Sequence, residues 1–519
     1  MTRKTAVSKS RHENSRSYEI GQDNIRWLGL DIHNPVFAVS AVLVVAFVVG
    51  TLIFLDSAGQ AFSDLRVWIT TKFDWTFMIA MNIFVLFCVF VAYSKLGKVR
   101  LGGAAAEPKY RYPAWLAMLF AAGVGIGLMF YGVLEPVTHT LNPPLGIDPA
   151  DQVAAKSAGM SAAILHWGLH AWGVYAVVGL ALAFFCFNRG LPLTMRSAFY
   201  PLLGDATWGR FGHVVDVTAV LATIFGLATS LGLGAKQIAG GLNYLFAIES
   251  TNTLFIILIG VIIGIALISV VAGLDKGVKR LSELNMLFAA LLMLFVLFAG
   301  PTLILLKTIA STFVDYATHL LPLSNWVGRD DTGFYHGWST FYWAWWVAWS
   351  PFVGMFIARV SYGRTVREFI TWVLIIPTII GIVWMSIFGG TALHQLFEEG
   401  YRGVADSPVE LAMFKMLEGL PWTEFVSGGA LVLIAIFFIT SADSGSLVVD
   451  TITAGGKMDA PVKQRVFWCV LVGAVAVVLL LGGGISSLQA LAISVGLPFT
   501  LVLLVMCLSL YKGLREETA

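Results

Sequence analysis

The chain has 519 residues and a formal net charge of +2; 58% of it is hydrophobic and 12% charged, with a mean hydropathy of +0.81. So apolar a composition excludes an ordinary soluble enzyme and implies an integral membrane protein. The near-neutral charge excludes a nucleic-acid partner, because the basic residues present serve as topology signals.

Residues 1–34 come first, a tail rich in Arg and Lys (Arg3, Lys4, Lys9, Arg11, Arg16). No short apolar core with a small-residue cleavage site follows, so no signal peptide is expected. The tail is expected to lack fixed structure and to touch anionic lipid. Runs of roughly 20 apolar residues, the length a helix needs to cross a bilayer, then recur. Twelve are read, at about 35–56, 73–94, 113–134, 162–187, 216–246, 252–272, 284–306, 338–358, 368–390, 427–455, 465–482 and 486–511. Residues 512–519 remain as a short tail. Loops on one side, both termini included, hold most of the Lys and Arg, which predicts a cell-membrane protein with both ends in the cytoplasm. Cys88, Cys186, Cys469 and Cys507 fall inside spans at no metal-ligand spacing and are expected to be apolar filler.

Glycine clusters mark where a spanning helix is expected to break, and breaks at membrane depth line cavities or lie inside protein. Three stand out: Gly123, Gly125 and Gly127 in "AAGVGIGLMF", followed by the helix-ending pair Glu135 and Pro136; Gly226, Gly232 and Gly234 in "GLATSLGLG"; and "ITSADSGS" in the tenth span. "GVGIGL" lacks the βαβ unit of a dinucleotide site. His166 and His170 in "HWGLH" have the spacing of a zinc helix, but Trp167 stands where the catalytic Glu belongs. Ser441, Asp443 and Ser444 come without a nucleophile elbow. No cofactor is expected, and the chain is not expected to be an enzyme.

"FYWAWWVAWSPFVG" puts Trp343, Trp345, Trp346 and Trp349 inside the eighth span, and Trp167, Trp172 and Tyr175 share one sector of the fourth. Two helices can thus offer aromatic faces to one space. Indole faces attract cations by about 0.5–2 kcal/mol per contact, and a quaternary ammonium, having no N–H to donate, suits such a cage. Trp75 and Trp115 lie near span ends and suit anchoring at the membrane interface.

These stretches, with "AAGVGIGLMFYGVLEP", "HWGLHAWGVYA", "RSAFYPLLG" and "FFITSADSGS", closely resemble the betaine/choline/carnitine transporter family from about residue 35 to 510. The resemblance implies an all-α membrane fold of twelve transmembrane helices: a LeuT-type core of two five-helix inverted repeats, about 113–306 and 338–511, preceded by two extra helices within one domain at 35–511. It implies a homotrimer working by alternating access. It also implies that Trp167, Trp172, Tyr175 and Trp346 line a trimethylammonium box, that Trp345 and Trp349 join in transit, and that Gly123, Gly125 and Gly127 meet the substrate's other end.

Sodium-coupled relatives imply a Na⁺ site at Ala121, Val124, Phe437, Thr440 and Ser441. They imply a second at Thr223 and Phe352, which is in question because Leu227 replaces the second Thr hydroxyl. Glycine at 127, where choline carriers typically show Asp, leaves room for a substrate carboxylate and favours glycine betaine with Na⁺ as coupling ion. Choline or carnitine, driven by membrane potential or protons, is the alternative. The short segment after the last span lacks the basic helix of osmosensing members, which predicts a constitutive importer. A channel would need a ring of charges or carbonyls from repeated subunits.

Overall fold

A computed structural model of the chain describes residues 18–123, 125–272 and 275–518. It begins with a hairpin, so the latter part of the tail is folded rather than structureless. Strands β1 (Asn24–Trp27) and β2 (Leu30–His33) pair antiparallel, with Asn24 opposite His33 and Trp27 opposite Leu30. The turn residues Leu28 and Gly29 both take positive φ, 50° and 79°, the backbone that two-residue hairpin turns require. Lys457 donates to Asp31 at 2.7 Å, and Asn24 donates to the Ala454 carbonyl, which fastens the hairpin to the segment beyond residue 453. Burial pushes the Asp31 carboxyl up, but the Lys457 and Asn24 donors outweigh it and hold the group below the usual carboxylate range.

The longer helices, in order, are α1 (Val36–Ile53), α2 (Leu55–Tyr93), α3 (Tyr112–Gly123), α4 (Ile126–Leu141), α5 (Gln152–Trp167), α6 (Leu169–Phe187) and α7 (Arg210–Phe246). Then come α8 (Asn252–Val271), α9 (Asp275–Ala299), α10 (Thr302–Ser324), α11 (Thr340–Val360), α12 (Val366–Phe397), α13 (Thr423–Thr453), α14 (Val462–Leu481) and α15 (Ile485–Thr518). Ten segments among the described residues are long and apolar enough to cross a membrane: α1, α2, α5 with α6, α7, α8, Leu281–Ala299 of α9, α12, α13, α14 and α15. Large apolar side chains stay exposed on their outer faces, such as Val42 and Ile53 on α1, Val261 and Ile268 on α8, and Leu508 on α15. Surfaces like these suit acyl chains and are rare in water. The protein is a multi-pass, all-α membrane protein.

Two of the twelve expected spans fall outside the ten. The third is divided into α3 and α4, with Gly125 extended between them at φ −145° and ψ −179°. The eighth is α11, whose indole and phenol groups carry polar handles and so count as less apolar than aliphatic side chains. This helix packs against α6, α15 and α7, and nearly all its residues are buried.

Of the three expected breaks only the first exists. The helices α7 and α13 run unbroken, because their glycines serve close approach: Gly234 faces the Phe438 ring, Gly232 faces Leu488, and Gly445 faces Leu227, with no room for a methyl group. Pro136 does not end α4, which continues to Leu141. A break that was not anticipated lies at Gly168 between α5 and α6, where the Leu169 N–H is donated to the Tyr316 hydroxyl at 3.2 Å. Helix α10 was missed too, since the apolar run at 284–306 continues across Gly300 and Pro301, where α9 stops and α10 starts. Trp75 is half exposed, as an interface anchor would be, whereas Trp115 is wholly buried and donates to the Ser361 hydroxyl at 3.0 Å.

Adding a methyl group at Gly234 overpacks the α7–α13 contact, so Gly234→Ala is expected to destabilise the protein by about 1–3 kcal/mol in a thermal melt in detergent. Gly260→Ala on α8, which meets nothing within 4 Å, is expected to leave the midpoint unchanged or raise it.

Candidate substrate cavity

A cavity lies where α5, α6 and α11 meet the start of α4. Trp167 ends α5, Trp172 and Tyr175 project from the first turns of α6, and Trp345, Trp346 and Trp349 come from α11; all six line the cavity, with Gly125, Gly127 and Leu128 at the mouth of α4. Among the described residues, no charged side chain lines it. The structure thus gathers the six expected aromatics together with Gly125 and Gly127, while Gly123 closes α3.

The rings stand as corners. Trp167 and Trp346 are 4.8 Å apart between centroids at 74°, Tyr175 and Trp346 6.3 Å at 73°, and Trp172 and Tyr175 5.2 Å at 76°. Trp345 stacks on Trp346 at 5.0 Å and 13°, backing that wall. A β-carbon at residue 127 would run into the Trp167 ring, so glycine there is a condition of the box.

Three of the rings are held by their N–H groups. Trp346 donates to the His166 carbonyl at 2.7 Å, a group freed because α5 stops one residue later and its last carbonyls lack helical partners. Trp349 donates to the Gly226 carbonyl at 2.9 Å. Trp167 donates to Glu135 Oε2 at 2.8 Å, and Tyr342 donates to the same oxygen at 2.6 Å. His166 Nδ1 donates to Glu135 Oε1, and the Ser339 hydroxyl lies 2.8 Å from His166 Nε2. Glu135 is completely buried. Its importance was missed in the sequence, where it stood only as the end of a helix, although a carboxylate inside an apolar run is itself a signal of function. Unlike its neighbours, Trp345 Nε1 is buried without a partner.

A second cavity of about 860 Å³ adjoins the first, sharing Gly125, Trp349 and Val353 with it. Ala121 near the end of α3 and Phe437, Thr440 and Ser441 on α13 line it, so four of the five expected sodium residues come together. Val124 lies outside the described residues. The Thr440 hydroxyl donates within its own helix, to the Ile436 and Phe437 carbonyls at 3.0 Å each, which leaves its lone pairs free to accept. Of the second expected pair, Phe352 lines this cavity, while Thr223 lines neither, and its hydroxyl is donated to the Ala219 carbonyl at 2.7 Å. Leu227 packs on Gly445 where a hydroxyl would be needed. Asp443 pairs with Arg465.

Residues 35–519 match the model of the BCCT, or betaine/carnitine/choline family transporter, family. A glycine betaine/proline/choline transporter of Vibrio parahaemolyticus is 52% identical over 519 residues, covering 96% of this chain and 94% of its own length. Glycine betaine transporter 1 of the same organism is 53% identical over 514 residues, covering 97% and 98%. An osmo-dependent choline transporter of Acinetobacter baylyi is 39% identical over 494 residues, covering 94% and 72%.

Glu135→Ala leaves the Trp167, Tyr342 and His166 donors without an acceptor, at about 1–3 kcal/mol each. Its thermal midpoint in detergent is expected to fall well below that of Tyr342→Phe, which removes one donor and leaves the carboxylate two.

Proposed function

The chain belongs to the betaine/carnitine/choline transporter family, and we propose that it is a secondary transporter importing a quaternary-ammonium compound, most favourably glycine betaine with Na⁺, by alternating access. What carries this reading is a cavity walled by perpendicular indole and phenol rings, with no charged side chain among the described residues of its lining. A trimethylammonium group fits such walls through cation–π attraction, which strengthens as water is excluded. The start of α4 lines the same cavity, and the N–H groups of a helix's first turn attract a carboxylate. A zwitterion satisfies both ends, whereas choline leaves the helix start without an anion.

Sodium belongs at the other half of the break. The last carbonyls of α3 lack helical acceptance and carry the negative end of its dipole. With Thr440 and Ser441 across the second cavity they make hard oxygen ligands. Inward movement of Na⁺ gains about 2.3 kcal/mol per charge per 100 mV, enough to accumulate a neutral zwitterion. The fold in this reading is the twelve-helix inverted-repeat arrangement, with α3–α4 and α11 crossing alongside the ten longer spans, both termini cytoplasmic, and three copies to an assembly.

Choline remains the second reading, because relatives of this chain bear names that include it. Counterflow of labelled glycine betaine, choline and carnitine in proteoliposomes, each with and without Na⁺, separates the two. Sodium-dependent betaine flux is expected; full-rate flux without Na⁺ sinks the ion assignment, and choline flux exceeding betaine flux sinks the substrate assignment. Trp346→Leu, which removes one π face, is expected to weaken betaine binding about tenfold.

A further inference from the structure

One polar cluster beside the box has a donor that the hydrogen-bond network does not use. His139, one helical turn after Glu135 on α4, is 2% exposed, and its Nε2 lies 3.3 Å from Glu135 Oε1 without a hydrogen-bond partner. His166 Nδ1 approaches the same oxygen from α5. The two imidazole nitrogens and the carboxylate oxygen all lie within 4.8 Å of one another. We propose that Glu135, His139 and His166 form a binding site for a transition-metal ion of the zinc class, and that filling it locks the aromatic cavity.

The donor set suits that class. Two imidazoles and one carboxylate are the protein ligands of an open tetrahedral zinc site, with water in the fourth position. Ligand atoms about 2.0–2.1 Å from a tetrahedral ion stand about 3.3 Å from each other. His139 Nε2 and Glu135 Oε1 already have that separation. The His166–Glu135 hydrogen bond has to open, and the histidine nitrogens, which lie within 4.8 Å of one another, settle around the ion. His166 then carries its proton on Nε2 and donates it to the Ser339 hydroxyl, 2.8 Å away, the second-shell bond that orients a metal-bound imidazole. Hard ions such as Mg²⁺ are poorly served by two nitrogen donors.

The cluster sits beside the box, covered by Phe334 and Trp338, whose rings meet His139 at 5.1 Å and 4.9 Å. Trp338 belongs to a π-helical turn, Tyr335–Ser339, that leads directly into α11. An ion enters when those rings part. Once bound, it ties Glu135 Oε1 to two histidines while Oε2 keeps Trp167 and Tyr342. Three helices are then fixed through one carboxylate, and α4, α5 and α11 cannot separate for the next cycle.

The metal-binding half of this inference stands apart from the substrate assignment, and its test uses no substrate. Full-length protein in detergent, titrated with Zn²⁺ alone, is expected to take up one buried ion per chain that EDTA removes. His139→Gln is expected to weaken that uptake at least about tenfold, and His139→Cys to retain it, since a thiolate also ligates zinc. Equal gel-filtration profiles and melting midpoints for the three proteins exclude misfolding as the cause. In proteoliposomes, external Zn²⁺ is expected to slow betaine flux in the unaltered protein and in His139→Cys, with Mg²⁺ inactive and His139→Gln resistant. Zinc uptake unchanged by His139→Gln overturns the site, because the ion then sits on other histidines such as His319 or His394. Zinc bound at His139 with flux unaffected overturns the lock.

Discussion

Glu135 on α4 accepts hydrogen bonds from His166 and Trp167 on α5 and from Tyr342 on α11, so a single buried carboxylate fixes three helices at the level of the aromatic cavity. Burying an ion without partners costs several kcal/mol, and only well-placed donors offset it. The three donors are charge-assisted and so stronger than neutral ones. They come from two helices other than the one that carries Glu135, which makes the carboxylate a condition on how the three helices pack. The box inherits its geometry from that condition, because Trp167 is both a donor to Glu135 and a wall of the cavity. Trp346 faces it at 4.8 Å, held by the carbonyl that the end of α5 leaves free.

The second organising feature is the division of one span into α3 and α4. A continuous helix satisfies its own backbone and presents nothing polar at membrane depth. A divided one offers N–H groups on one side of the gap and carbonyls on the other. Gly125 lines both cavities, so the two faces of the gap open onto separate but adjoining spaces. Such an arrangement suits a ligand with two opposite charges beside a small cation, and it needs no ionised side chain in the substrate cavity.

Much of this was legible in the sequence. Length and hydropathy gave the spanning helices, and the spacing of Trp and Tyr at helical intervals gave the six aromatic walls that the fold brings together. Glycine was the ambiguous letter. At 125 it allows a break, at 127 it admits the Trp167 ring, and at 232, 234 and 445 it admits neighbouring side chains into unbroken helices. Those roles share one residue type and differ only in what stands opposite, which one chain read alone does not reveal. Glu135 and His139 were passed over for a related reason. Their meaning depends on His166, remote in the chain and adjacent in space. The pair Thr223 and Phe352 came from the family resemblance, already in question because of Leu227; here the Thr223 hydroxyl is donated to the Ala219 carbonyl of its own helix, while Phe352 lines the second cavity.

The central claim is that the rings hold a positive charge rather than merely an apolar shape. It is tested most directly by titrating the purified protein with glycine betaine and with 3,3-dimethylbutanoate, its neutral-headed isostere in which carbon replaces the quaternary nitrogen. Tryptophan fluorescence or calorimetry reads both. If the cage recognises charge, the isostere binds at least about tenfold more weakly than betaine. Equal affinity for the two would mean that the indoles serve only as an apolar wall.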